Sequence, residues 1–241
     1  MRLISFKLTG RYGHYLRAEG GVSATTYPAP PRTAILGMLG AVLGLEKDQA
    51  PRLLEPSHIA LKGRLPQIHR HSAKFRQESI DRLSIRIDRK QKGRKPASLE
   101  LPKIISQEWL FKPEYKIWCS IPDPYHNELE SRLKERRWFF QPCLGLSEMP
   151  ADLDYLATEE ALPLPEGRYS LDCVFLQENA ALDIARIFEH ELVVHSLRMP
   201  RTVTPDRIFS HAAYYMERDS RPIPVRTDHA FQIREEVLSF L

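Results

Sequence analysis

The sequence predicts an α+β fold in which a small sheet carries helices on one face. Residues 3–9 alternate between polar and apolar side chains, and this period of two indicates a half-buried strand. Residues 31–45 are apolar with helical spacing, whereas residues 58–74 and 103–121 contain further strand-like runs. This order of elements, followed by a second helix, is typical of a ferredoxin-like unit whose other sheet face stays free.

A glycine-rich loop separates the first strand from the first helix. Four glycines between residues 10 and 21 permit tight or left-handed backbone, so this loop has room for a ligand. Pro31 suits the first helical turn, because its missing N–H would be unpaired there. We therefore expect the helix to begin at Pro31 or Arg32.

The first helix is apolar on nearly all sides, which predicts that it is buried. Gly37, Gly40 and Gly44 share one of its faces at spacings of three and four residues. An interior glycine costs about 1 kcal/mol relative to alanine. Three on one face therefore predict that a strand or a partner approaches the helix backbone closely.

A strongly basic segment lies between residues 62 and 103. It contains thirteen Lys or Arg against four Asp or Glu, although the whole chain has a net charge of only +4. Residues 75–103 resemble an extended hairpin with few large apolar residues, so we expect a protruding basic arm. Arginines interleaved with Phe75 suit both phosphate contacts and stacking on bases. A nucleic-acid surface is therefore favoured over a merely solvated charged hairpin.

The rest of the chain predicts one more helix and some further strands. Residues 124–137 have the pattern of an amphipathic helix with acidic residues early and basic residues late. The proline-rich residues from about 145 to 167 are interpreted as a connector. Residues 169–175 and 191–198 are interpreted as strands.

Composition and motifs argue against several classes of protein. The longest apolar run has 12 residues, short of the roughly 20 that a membrane span requires. The amino terminus lacks the features of a secretory signal, so we expect a cytosolic protein. The motifs GxxxxGK[ST], GxGxxG, HExxH and GxSxG are absent, which argues against the enzyme classes that use them. No cofactor and no metal are predicted.

The three cysteines, Cys119, Cys143 and Cys173, fit neither a zinc pattern nor a disulfide framework. They are interpreted as reduced thiols of the core, because free cysteine is among the most buried residue types.

His69 and His71 flank Arg70, and on a strand their side chains would point to the same side. Three interpretations stay open for this pair: two metal ligands, an acid and a base, or two exposed RNA contacts. Contact with RNA is preferred, because no Cys, Asp or Glu lies close in the sequence to complete a site.

Two blocks of the sequence resemble a known family. Residues 23–49, SATTYPAPPRTAILGMLGAVLGLEKDQ, closely resemble the YPxPPRTxIxGxLxAxLGLERD-like block near the amino terminus of CRISPR-associated Cas family five. Residues 141–151, QPCLGLSEMPA, are similar to that family's PYLGxSEFPA block, with Cys143 and Met149 in place of aromatic residues. The likeness covers roughly residues 1–155, and the opening strand fits it too.

The resemblance implies an RRM-like fold with a protruding β-hairpin thumb that holds the 5′ handle of crRNA in a type I Cascade complex. Residues 1–145 would form the RNA-binding domain, about 75–103 the thumb, and 146–241 a smaller β-rich part. The implied partners are crRNA, the Cascade backbone subunit and the large subunit, with target DNA met only through the complex.

The predicted RNA-binding residues combine the helix start with the basic segment. The resemblance implies contact between the handle and the helix start, where free N–H groups also suit a phosphate. The full set is Tyr27, Arg32, Thr33, His69, Arg70, His71, Lys74, Arg76, Arg89, Lys90, Lys92, Arg94 and Lys95.

Three functions are compared on this basis. The preferred one is a non-catalytic subunit that caps the crRNA 5′ end and anchors the large subunit. The second is a metal-independent endoribonuclease, since one branch of the family cleaves precursor RNA with a Tyr, Lys and His set. Its nearest candidates are Tyr27, His71 and Lys74, although their context does not match. The third is an RNA-binding protein unrelated to CRISPR.

Overall fold

The computed structural model describes residues 1–17, 23–46, 48–75 and 103–241. Its helices are α1 (Arg32–Leu43), α2 (Gln49–Leu53), α3 (Tyr125–Glu135) and α4 (Ile184–Glu189), with a 3-10 turn at Gln177–Asn179. Its strands are β1 (Arg2–Thr9), β2 (Tyr12–Gly13), β3 (His58–Gly63), β4 (Gln67–Phe75), β5 (Lys103–Phe111), β6 (Glu114–Ser120), β7 (Asp152–Glu160), β8 (Leu162–Pro163), β9 (Gly167–Leu171), β10 (Phe175–Leu176), β11 (Ala180–Leu182), β12 (Val194–Val203), β13 (Phe209–Glu217), β14 (Ile223–Thr227), β15 (Phe231–Ile233) and β16 (Glu236–Leu238). None of the described helices is long and apolar enough to cross a membrane.

The central sheet has four strands in the order β3-β6-β1-β7, and each neighbouring pair is antiparallel. Along the chain its elements follow as β1, α1, β3, β6, α3 and β7. Ile4, Phe6 and Leu8 of β1 point into the main core, where they share a cluster with Ile35 and Leu39 of α1. The prediction of an α+β fold is confirmed.

The second face of the central sheet is covered, so the prediction that it stays free is wrong. Leu3, Ala60 and Trp118 on this face are fully buried in a cluster with Ile233 and Leu238. An indole and a leucine on one face need an apolar cover, because leaving them in water would forfeit roughly 2 kcal/mol for each side chain. The strands that follow β7 supply that cover.

Charged side chains also attach the C-terminal strands to the sheet. The Lys62 ammonium lies 3.0 Å from Asp172 and 3.2 Å from Glu236, and Glu236 lies 2.6 Å from the ammonium of Lys116. Burial alone lowers the pKa of Lys62, but the hydrogen bond with Asp172 and the two nearby carboxylates more than offset it, so the net pKa is raised. Lys62 therefore stays charged in its half-buried position.

Helix α1 begins at Arg32, as predicted, and two of its three glycines have a close neighbour: a Cβ on Gly44 would lie 2.6 Å from Cγ of Phe139, and Gly40 is approached by α2. A Cβ on Gly40 would lie 2.4 Å from Cβ of Ala50, so this glycine lets α2 pack directly against α1. Gly37 is exposed, and nothing lies within 4 Å of a Cβ built there. Gly44 ends the helix with a φ of 79°, a left-handed cap that favours glycine.

The prediction of a connector from about residue 145 to 167 is wrong over its middle part. Residues 152–160 form β7, the outer strand of the central sheet, which pairs along the whole of β1. An edge strand with one partner tolerates charged residues. Because β7 contains four acidic residues, its sequence does not show the usual pattern of a strand. The other predicted elements are found: α3 within 124–137, β9 and β10 around 169–175, and β12 overlapping 191–198.

The three thiols are free, but only two belong to the core. Cys119 and Cys173 are buried, and burial raises the pKa of both thiols to about 12, so they stay protonated. Cys143 is only partly buried, in the loop between α3 and β7. The prediction of a core thiol is therefore wrong for Cys143.

Candidate nucleic-acid interface

A cleft of about 780 Å³ opens beside the start of α1. Its walls come from the loop after β1, the first turn of α1, α2, and the connected ends of β12 and β13. The lining is mainly apolar, and its polar groups include Tyr27, Thr33, Arg52, Arg207 and His211. Such a mixture suits an occupant with flat apolar surfaces and a few charges, as nucleotides have.

Tyr27 lies at the back of this cleft. Its ring is almost fully buried and carries the Arg17 guanidinium 5.3 Å from its centroid. Its hydroxyl oxygen lies 3.3 Å from Nε2 of His211, so two groups capable of proton transfer meet here from positions 184 residues apart.

The first turn of α1 faces the same space. Pro31 is the N-cap residue, and no side chain caps the helix. The amides of Ala34 and Ile35 donate to the Pro31 carbonyl at 2.9 and 3.1 Å, while Thr33 lines the cleft. A helix start without a side-chain cap attracts anions through its N–H groups and its dipole.

The charges around the cleft are of both signs. Arg52 is exposed, whereas Arg207 is paired with Asp48 at 2.6 Å, and Glu55 is a further acidic residue of the lining. The cleft is therefore not a uniformly basic groove. Arg52 and the helix start are its features suited to phosphate.

Arg32 is buried away from the cleft, so its side chain is not placed to contact RNA there, contrary to the prediction. Its guanidinium donates to Glu55 Oε1 and to the Ser57 carbonyl, each at 3.0 Å, and to the Arg201 carbonyl at 3.3 Å. The side chain is only 6% exposed. Arg32 therefore ties α1 to the segment before β3 and to β12, because a buried guanidinium needs acceptors for its donors.

Replacement of Arg32 is expected to affect stability. Arg32→Met should lower the free energy of unfolding by about 3 kcal/mol, because it leaves several partly buried acceptors without a donor. Denaturant unfolding measures this change. Arg52→Met, at an exposed position on the same cleft, is the matched control and should stay within about 0.5 kcal/mol of the wild type. Equal stability of the two variants would contradict this role of Arg32.

Strands β4 and β5 lead into the predicted arm. They pair antiparallel from Gln67 opposite Phe111 to Phe75 opposite Lys103. As predicted, His69 and His71 lie on one side of β4, and both are exposed. Their rings lie against two aromatic residues of β5, His69 against Phe111 with centroids 4.7 Å apart and His71 against Trp109 at 4.5 Å.

The remaining predicted RNA-binding residues follow along β4 and the arm. Arg70 has an 80% exposed side chain whose Nε lies 3.7 Å from Glu108. Lys74 belongs to β4, and its side chain lies outside the described residues. The same holds for Arg76, Arg89, Lys90, Lys92, Arg94 and Lys95, so the structure does not describe the arm between residues 76 and 102.

Residues 23–27 connect the cleft to β5. Strands β4 and β5 together form the base of the predicted arm, which we call the foot of the arm. The Ala24 amide donates to the Ser106 carbonyl at 2.9 Å, and the Glu108 amide donates to the Ala24 carbonyl at 3.0 Å. The Thr26 amide donates to the Glu108 carboxylate at 3.2 Å. Since Tyr27 follows directly, β5 and the back of the cleft are connected by only a few residues.

Sequence patterns do not predict some residues of this interface. His211 comes from a distant strand, and no local motif points to it. Trp109 and Phe111 have a period of two that could have been matched to His69 and His71, but only with the register of β4 and β5 known.

Comparisons with known proteins agree on one group. The family model described as "CRISPR-associated protein (Cas_Cas5)" matches residues 3–221. A chain of a "CRISPR RNA-guided surveillance complex" has a similar fold, with a TM-score of 0.52 and 15% identity over 92% of this chain and 91% of that chain. A CRISPR protein from Archaeoglobus fulgidus has a TM-score of 0.55 and 12% identity, with 100% of both chains covered. No curated protein sequence matches significantly.

Proposed function

Because the chain belongs to the CRISPR-associated Cas5 family, we propose that it is a non-catalytic subunit of a type I Cascade complex that binds the 5′ handle of crRNA. The observation that carries the proposal is the cleft at the start of α1, which residues 23–27 connect to the foot of the basic arm. Family membership also removes the third alternative, an RNA-binding protein unrelated to CRISPR.

The topology supports an RRM-like assignment for the central part. The order β-α-β-β-α-β, with strands arranged as β3-β6-β1-β7, is that of the ferredoxin-like motif. An RRM stacks bases on the open face of its sheet, but here that face is covered by the C-terminal strands. The handle therefore runs along the cleft and the arm, which acts as the thumb.

Each part of the cleft has a role in this proposal. The helix start, the Thr33 hydroxyl and Arg52 contact phosphates, and the apolar walls accept bases. The arm neutralises the following phosphates and lies next to the first Cascade backbone subunit. The chain outside residues 62–103 has a net charge of −5, because that segment carries +9 of the total of +4, and this acidic remainder faces protein partners, including the large subunit that recognises target DNA.

The test compares two RNAs on the purified protein. A crRNA with its 5′ handle should bind more tightly than the same RNA with a scrambled handle. Combining Thr33→Val with Arg52→Ala should weaken handle binding roughly a hundredfold, because each substitution removes one hydrogen bond to a charged group and each such loss costs about tenfold. Arg186→Ala, at an exposed position on α4, is the control. Equal affinity for both RNAs would overturn handle recognition.

The second candidate function is a metal-independent endoribonuclease. Its supporting observation is the Tyr27 hydroxyl beside His211, since attack by a 2′-hydroxyl needs a general base and a general acid. The set of Tyr27, His71 and Lys74 is less favoured, because His71 lies against Trp109. Incubation with repeat RNA in EDTA distinguishes the two functions. Specific cleavage that leaves a 2′,3′-cyclic phosphate and is lost in Tyr27→Phe and His211→Gln would replace the non-catalytic proposal.

A further inference from the structure

Five rings form a continuous ladder across the foot of the arm, which we call the ring ladder. It runs from Tyr12 on β2 through Trp109 and Phe111 on β5 to His69 and His71 on β4. Tyr12 lies 5.4 Å from Trp109 and 5.8 Å from Phe111 by ring centroids. At the histidine end, His71 is stacked on Trp109 with an interplanar angle of 28°, and His69 is tilted by 32° against Phe111.

The ladder is open at the histidine end. The strand order is β2-β5-β4, so β4 is the outer strand of its sheet among the described residues. Both imidazoles are exposed, whereas Tyr12, Trp109 and Phe111 are only partly exposed. Among the described residues, each stack therefore ends in an exposed imidazole.

Cross-strand ring pairs also occur merely to stabilise a hairpin, contributing up to about 1 kcal/mol each. Such pairs do not require that both outer rings be polar and exposed, nor that cations surround them. Here the Arg11 guanidinium lies 5.5 Å from the Tyr12 centroid, and the Lys112 ammonium 5.3 Å from that of Phe111. Arg70, between the two histidines in sequence, points to the other face of β4, where its Nε lies 3.7 Å from Glu108, so Arg11 and Lys112 are the cations on the ring side. Flat rings with cations beside them are the composition of a single-strand binding surface.

We propose that His69 and His71 are stacking platforms for two bases of single-stranded RNA, an inference that rests on the proposed function. Residues i and i+2 of a strand are about 6.6 Å apart, about twice the 3.4 Å spacing of stacked nucleotides. Two bases on these platforms must therefore be separated from each other, which a flexible single strand allows and a duplex does not. Lys112, on the ring side, meets an adjoining phosphate.

The experiment uses the full-length protein and a single-stranded RNA with the handle and repeat sequence of its own CRISPR array. 2-Aminopurine replaces the adenines one at a time, because its fluorescence falls when it stacks. Two positions should be quenched on binding by the wild type. His69→Ala with His71→Ala should abolish that quenching and weaken binding roughly tenfold for each platform, with an unchanged salt slope because no phosphate contact is lost.

Rescue and control variants separate stacking from other roles. His69→Phe with His71→Phe keeps flat rings and should retain the quenching and most of the affinity. His229→Ala, which removes an exposed histidine far along the chain, should behave as the wild type. If the phenylalanine variant binds as weakly as the alanine variant, imidazole hydrogen bonding rather than stacking is responsible, and the platforms are overturned.

The outcomes also distinguish this inference from the proposed function. A wild type that does not bind the RNA overturns both. A wild type that binds, with an alanine variant that binds and quenches equally, overturns the platforms and leaves handle binding intact. An alanine variant that keeps its RNA affinity but no longer joins the complex would make the ring ladder a protein interface instead.

Discussion

Replacing Arg89, Lys90, Lys92, Arg94 and Lys95 together by alanine is expected to weaken crRNA binding by about a hundredfold at physiological salt. Each phosphate contact to a single strand contributes about 0.7 to the slope of log affinity against log salt concentration. Loss of five contacts should therefore reduce that slope by about 3.5. Titrations of labelled crRNA at several salt concentrations measure both quantities.

The control for this variant removes the same charge elsewhere. Five exposed arginines of the C-terminal part serve for it: Arg168, Arg186, Arg218, Arg226 and Arg234. Their replacement by alanine changes the net charge equally, so it should lower affinity only through the weak long-range field. If both variants lose the same affinity and the same slope, the arm makes no specific contact with the RNA, and the prediction fails.

The elements predictable from the sequence are those whose pattern is local. β1 alternates, α1 follows a proline that suits its first turn, and α3 carries acids early and bases late. β7 was missed because its pattern depends on its neighbour. As an edge strand it needs few apolar residues, and only its pairing with β1 identifies it.

Local sequence patterns also do not predict which residues cover the second face of the central sheet. The strands that supply it, β15 and β16, are three residues long each, too short for a reliable period. The sequences of β1 and β6 do indicate that this face needs an apolar cover, because Leu3 and Trp118 are apolar residues on the face that is predicted to be free. Which later residues cover them depends on tertiary packing alone.

The site could be predicted only in part, because many of its contacts join residues that are far apart in the sequence. The histidine pair on β4 was expected to share a side, and it does. Arg32 looked suited to phosphate from its place at the helix start, but Glu55 and the carbonyls around it are visible only in the fold. The meeting of Tyr27 and His211 depends on β13 reaching the cleft, which no motif in the chain predicts.

The contacts of residues 141–151 give a physical reason for the resemblance of this block to the family, and a substitution of Gly145 tests that reason. The His14 amide donates to the Leu144 carbonyl at 2.8 Å, which ties this block to the loop after β1. Gly145 has a φ of 95°, and a Cβ built there would lie 1.8 Å from the His14 carbonyl oxygen. Neither the backbone angle nor the space admits a side chain.

Gly145→Ala is therefore expected to lower the free energy of unfolding by about 4 kcal/mol, a large value for one methyl group. The new Cβ would meet backbone, which cannot rotate aside, so the hydrogen bond from His14 to Leu144 must break. Because Gly145, His14 and Tyr15 all line the cleft, handle binding should fall as well, even at temperatures where the variant is folded. Thermal and denaturant unfolding, together with crRNA titration, measure both effects.

Gly37→Ala is the matched control, since it adds the same methyl group where nothing lies within 4 Å. It replaces an exposed glycine inside α1, so it should raise the free energy of unfolding by about 1 kcal/mol and leave RNA binding unchanged. Opposite signs for the two substitutions would tie the stability of the 141–151 block to its contact with the loop after β1. A Gly145→Ala protein as stable as the wild type would mean that this contact can shift freely, and the cleft wall would then not depend on a glycine at this position.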